Sequence, residues 1–173
     1  MTTGRAARNP VVRNPEDDYR KKAAREAAGV ARRLTRAGHP APLGDPASGL
    51  LIVVEQPIGP RLLEALQRSL EAVKLPDAYV TWASTGLLLE GILSLQPSVL
   101  ISIGPGAARE VDSLDYPLVR NPFSDVLHGT WFSWTSSVSG LSLPALAPAL
   151  EDDEAKRIFW RAFLTLQNLP TSQ

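Results

Sequence analysis

The chain has 173 residues, of which 44% are hydrophobic, with eighteen Lys/Arg balanced by eighteen Asp/Glu and no cysteine. This size and composition allow one domain with a real core, and the missing cysteine excludes disulfides, thiolate metal sites, iron–sulfur clusters and cysteine nucleophiles. No apolar run approaches the ~18 residues of a membrane span, and the basic, polar start from Met1 to Arg13 lacks the apolar stretch of a secretory signal, so a cytoplasmic protein is expected.

In chain order, residues 1–15 are polar, carry Asn-Pro twice and read as disordered. Glu16 to Arg36 is rich in Ala, Arg, Lys and Glu and favours helix by propensity. Its apolar stripe of Ala24, Ala27, Ala28, Ala31 and Leu34 is thin, so the helix is expected to need a docking partner. A stiff Pro/Gly linker follows from Gly38 to Gly49. The charge divides at this linker: residues 1–40 carry a net +6 and residues 41–173 a net −6. The predicted organisation is therefore a flexible, detachable basic helical arm with its Pro-rich linker over residues 1–48 and an acidic α/β domain over 49–173. There is no internal repeat.

The body alternates. Leu50 to Val54 is a continuous apolar run, the pattern of a parallel strand buried on both faces. Arg61 to Lys74 is helical, with Leu62, Leu63, Leu66, Leu70 and Val73 on one side and Pro60 where a helix start tolerates it. Tyr79 to Trp82 is a second strand, Gly86 to Leu95 a second helix, and residues 98–103 a third strand that ends in Gly104 before a short helix over 106–111. Thr130 to Thr135 is predicted as a fourth strand, and Ala155, Ile158, Phe159, Ala162, Leu166 and Leu169 mark a final helix. Such alternation predicts a three-layer αβα sandwich on a mostly parallel sheet, with the strands at 50–54, 79–82 and 98–103 adjacent. Ligands on such sheets lie at the carboxyl ends of strands. Those ends are read as Glu55-Gln56-Pro57, Ala83-Ser84-Thr85, Gly104-Pro105-Gly106 and Ser136-Ser137.

Several side chains are candidates for chemistry. Glu55, just past the first strand, could activate water as a general base, although no His, Asn or Lys stands at the matching strand ends. Gly104-Pro105-Gly106-Ala107-Ala108 opens a helix and could hold a phosphate on backbone amides, but it is neither G-x-G-x-x-G nor a Walker loop. His39 and His128 are isolated, which does not make a metal site, and Ser136, Ser137 and Ser139 lack a nucleophile elbow. No cofactor and no metal is expected. The four tryptophans Trp82, Trp131, Trp134 and Trp160 fit core packing or a protein interface better than a base-stacking platform, given the acidic body. Arg25, Arg32, Arg33 and Arg36, with Val30, are the candidate partner-binding residues of the arm.

With these residues in view, residues 50–169 resemble the uracil-DNA glycosylase superfamily. Val54-Glu55-Gln56-Pro57-Ile58 stands where that family carries G-E-x-P-G. Leu75-Pro76 and Tyr79-Val80-Thr81 follow in the family's order, and the run from Gln96 to Gly104 with Ala107-Ala108 is the most specific stretch. Trp82 replaces the family's usual Asn, and Leu143-Pro144-Ala145 replaces its His-Pro-Ser loop. The resemblance thus implies the glycosylase-like fold without the polar groups that hold a flipped base and stabilise the sugar cation. Among non-catalytic relatives the chain is most similar to the psi subunits of bacterial DNA polymerase III, in the run from Pro144-Ala145-Leu146 to Trp160. Gly29-Val30 falls where psi has Gly-Ile, and Arg33 where psi has a Trp. That resemblance implies an arm engaging the clamp loader and a body binding a chi-like subunit that contacts single-strand-binding protein. Direct contact with DNA is a weaker expectation, and no membrane contact is expected. Two alternatives stay open: a divergent uracil-DNA glycosylase using Glu55, and a nucleotide-binding module on Gly104-Pro105-Gly106.

Overall fold

Five strands form one sheet: β1 (Leu50–Val54), β2 (Tyr79–Trp82), β3 (Val99–Ile103), β4 (Phe132–Ser133) and β5 (Ser139–Leu143). Their order is β2-β1-β3-β5-β4, with the first four parallel and β4 antiparallel to β5. The structure, a computed structural model, describes residues 14–170. The irregular start expected at 1–13 lies outside the described residues.

Register follows from burial. Val53 of β1 sits opposite Thr81 of β2 and Ser102 of β3, and Ser102 sits opposite Ser142 of β5. Side chains alternate between two faces, and each face has its own core. Ile52, Val54, Val80, Ile101, Ile103, Leu141 and Leu143 meet α2 (Pro60–Ala72), α5 (Ala147–Glu151) and α6 (Asp153–Phe163). On the opposite face Leu51, Val53, Tyr79 and Leu100 meet α3 (Leu88–Leu95) and α4 (Pro105–Ser113). The three strands expected to be adjacent and parallel are so, with helices on both faces. Among the described residues no helix is long and apolar enough to cross a membrane.

The fourth strand differs from the sequence expectation. Only Phe132–Ser133 of the run 130–135 is extended, and it is the antiparallel edge. The fourth parallel strand is Ser139–Leu143, whose Ser-Gly-Leu-Ser-Leu pattern looks like a polar turn. Its small residues are there for packing. Gly140 lies under the Phe132 ring, which a Cβ would strike, and Ser142 lies beside Ser102, with their hydroxyls 3.5 Å apart and both buried. Ser136-Ser137 consequently turn into the start of β5, at the amino ends of the parallel strands rather than the carboxyl ends. An aromatic group of Tyr116, Phe123, Phe132 and Trp134 fixes the segment between α4 and β5. The Asp112 carboxylate accepts hydrogen bonds from the backbone of Phe123 (2.7 Å) and Ser124 (3.1 Å).

The arm is not detached among the described residues. Helix α1 (Pro15–Arg36) packs on α3 and on the turn Pro46–Ser48, and it buries Ala27 and Leu34. The Asn-Pro pair read as disorder starts it: the Asn14 side chain accepts from Glu16 N at 3.1 Å, and Pro15 occupies the first turn. Glu16, Asp17 and Asp18 in the first turn and Arg33 and Arg36 in the last oppose the helix dipole. The linker then runs antiparallel along the outer edge of β2. Leu43 exchanges two backbone hydrogen bonds with Val80, Asp45 N donates to Asp77 O at 2.9 Å, and Trp82 Nε1 donates to Pro40 O at 2.9 Å. An edge strand that would otherwise offer free amides is thereby covered. The 48/49 boundary is a division of the sequence, across which these contacts run.

Two expectations follow. Leu34→Ala should lower the local opening free energy of α1 by about 2–3 kcal/mol, read by hydrogen exchange as faster exchange in residues 23–36 with β1 and β3 still protected. Unchanged exchange in α1 would show that Leu34 does not hold it. Burial pushes the Tyr79 hydroxyl above its usual pKa, because the phenolate would be desolvated. Tyr79 therefore contributes stability in full below the unfolded value of about 10, and this is lost as pH rises through the folded value. Tyr79→Phe should flatten the alkaline limb of a stability–pH curve. An identical limb in the variant would assign that loss to other groups.

Candidate functional site

In this strand order the chain leaves β1 towards β2 and later returns to β3 on the other side of β1. The switch point is the gap between the carboxyl ends of β1 and β3, where parallel sheets receive ligands. Glu55 follows β1, and Gly104-Pro105-Gly106 follows β3 and starts α4. The structure brings these two candidates together. The Glu55 carboxylate lies directly on Gly106: a Cβ at Gly106 would collide with both carboxylate oxygens and the carbon between them. The first turn of α4 has free amides and the positive end of the helix dipole, and an anion is favoured there. The chain's own carboxylate lies beside this helix start.

The rim is tied by backbone. Ser84 N donates to Glu55 O at 3.0 Å, joining the ends of β1 and β2, and Gly104 N donates to Leu143 O at 2.9 Å, joining the ends of β3 and β5. Thr85 is committed to its own turn, donating to Trp82 O at 3.3 Å and accepting from Leu87 N at 3.2 Å. Trp82 and Leu143 are core residues at 3% and 0% exposure. Leu143 is the last residue of β5, and Trp82 spends its one polar atom on Pro40. Glu55 is exposed to water and could take a proton, but the ends of the neighbouring strands supply no second acid–base side chain.

The other candidates lie elsewhere. His39 is half-buried in the linker and His128 is exposed ahead of Gly129. Among the described residues no group of three or more His, Asp or Glu side chains is placed to hold a metal ion. Of the tryptophans, Trp82 and Trp134 are buried, Trp131 packs partly into the core, and Trp160 lies at the surface, stacked on Phe163 with centroids 5.7 Å apart. Along α1, Arg25, Arg32 and Arg36 are exposed, whereas Val30 and Arg33 border a shallow groove against Glu90 and Leu93 of α3. The contact of Glu55 with Gly106 was not legible in the sequence. Its only trace there is a glycine at the second position of a helix, a residue type that weakens helices. No protein-family model and no curated protein matches the chain.

If Glu55 rests on Gly106, substitutions at the two positions should be coupled. Gly106→Ala alone should be neutral to destabilising by up to about 1 kcal/mol, because the carboxylate must swing away. In a Glu55→Ala background the same change should stabilise, through the higher helix propensity of Ala. A urea-denaturation cycle with a coupling below about 0.3 kcal/mol would separate the two residues.

Proposed function

We propose that this protein is a non-catalytic adaptor that works through its surfaces. In the psi-like role that the sequence resemblance implies, it would bridge a clamp loader and a chi-like subunit in the cytoplasm. The observation that carries this reading is the state of the sheet's carboxyl end. Its two decisive positions, Trp82 and Leu143, are buried as packing residues, and its one carboxylate lies beside the start of α4. Catalysis of base release needs polar groups aimed at the base edge and at the developing sugar cation, and these strand ends present mainly backbone already hydrogen-bonded to itself. The acidic body, net −6 over residues 41–173, also disfavours wrapping of a DNA duplex around the sheet end.

The adaptor reading places the partner contacts on exposed side chains outside the sheet end. Arg25, Arg32 and Arg36 project from α1, and Val30 and Arg33 flank its groove with α3. Trp160 and Ile158 are exposed on α6, and aromatic side chains are the usual anchors of protein interfaces.

Two measurements on the full chain test this. Purified protein should release no uracil from single- or double-stranded DNA. It should co-elute in size-exclusion chromatography with a purified chi-like subunit. Robust uracil release that disappears in Glu55→Ala would replace the adaptor with a glycosylase. Failure to co-elute with either a chi-like subunit or a clamp loader would remove the psi-like assignment.

A further inference from the structure

Docking of α1 fixes which of its sides faces water. Ala27 and Leu34 mark the buried line, and Ala23, Val30 and Ala31 flank it as half-buried residues. At 3.6 residues per turn, Lys21, Arg25, Arg32 and Arg36 fall within an arc of about 60° on the opposite side. All four are exposed. Their separations of four, seven and four residues correspond to about 6, 10 and 6 Å along the axis, a straight row about 22 Å long. The ion pairs among the described residues are Lys22–Glu26 and Arg68–Glu64, so none of the four is paired. The acids of α1 that share this outer face, Asp17 and Asp18, are confined to the first turn, before the row begins.

We infer that this row is a binding ridge for the phosphodiester backbone of a nucleic acid. Three features select that occupant. In duplex DNA each strand carries one charge per about 3.4 Å of axis, so a row of this length spans about six base steps, and cations alone suffice to hold such a polyanion. A protein partner would want a buried aromatic or aliphatic anchor, and a membrane would want an apolar face to insert. The only apolar residue on the row is Ala28. The row has no Asn or Gln to pair with adenine, so any base preference would have to come from its own Arg and Lys side chains. The net −6 of residues 41–173 repels a polyanion from the rest of the body and orients it along α1. This inference does not rest on the adaptor reading: it moves Arg25, Arg32 and Arg36 from protein contacts to nucleic acid, and that reading keeps Val30, Arg33 and the exposed face of α6 and would survive its failure.

The test is fluorescence anisotropy of a labelled thirty-nucleotide oligo-dT with the full chain, from 50 to 200 mM salt. Four phosphate contacts to a single strand predict a log–log salt slope of about −3, which is about a 50-fold loss of affinity over that range. The triple variant R25A/R32A/R36A should bind at least 10-fold more weakly at 50 mM salt and have a slope shallower by about 2. Its far-ultraviolet circular dichroism should be unchanged, since Ala preserves the helix. Arg61→Ala with Arg68→Ala, on α2, should bind as the unaltered protein does. The ridge is ruled out by no binding at 50 mM salt or by a triple variant that binds as tightly as the unaltered chain. It is also ruled out if poly-glutamate or phosphatidylserine vesicles bind more tightly than the oligonucleotide, results that would assign the row to an acidic protein or to lipid.

Discussion

Strand β1 lies between two parallel neighbours, and four of its five residues are buried. An apolar strand in that position has to be covered on both faces, and each other part of the protein can be understood by how it helps to do so. One face receives α2, α5 and α6 with the stacked Phe159 and Phe163. The other receives α3 and α4, and α1 completes that layer by packing over α3. The two sheet edges are then closed by unequal means, the Pro-rich linker along β2 and the two-residue β4 along β5.

Covering the sheet in this way also decides the state of its carboxyl end. Backbone amides cap carbonyls between the ends of β1 and β2 and between the ends of β3 and β5. Trp82 and Leu143 point into the core on the α2–α6 face, and the carboxylate left over is drawn to the start of α4. A fold that commonly offers a ligand crevice is here closed by its own residues, which moves the search for function to the outer faces of its helices. The outer face of α1 has its charge pattern because the inner face has its apolar one. A helix held by a narrow Ala/Leu line leaves the rest of its circumference to solvent, and seven of the fifteen exposed residues of α1 are Lys or Arg.

The central sheet was legible in the sequence because Leu50–Val54 and Val99–Ile103 are unbroken apolar runs, and period and length identify such strands. Strand β5 was not, because its residues facing α4 are Gly140 and Ser142, chosen for small volume rather than hydrophobicity. Docking of α1 was underestimated for a different reason. The stripe of four alanines and Leu34 gives no sign of how fully Leu34 is buried, a burial that contributes about 1.5–3 kcal/mol. Nor does it show the linker hydrogen bonds to β2, which have no sequence signal. At the candidate site, Glu55 and Gly104-Pro105-Gly106 were each recognised singly. That one rests on the other is a matter of strand order and helix placement, which no local pattern encodes.

The central claim is that the sheet end is closed and the outer face of α1 is open for binding. It is tested most directly by titrating the ¹⁵N-labelled full chain with a deoxyuridine-containing single-stranded oligonucleotide and following amide shifts. The expected result is perturbation confined to residues 21–36, with Glu55, Ser84 and Gly106 unmoved. Shifts centred on Glu55, Ser84 and Gly106, or no shifts anywhere, would contradict it.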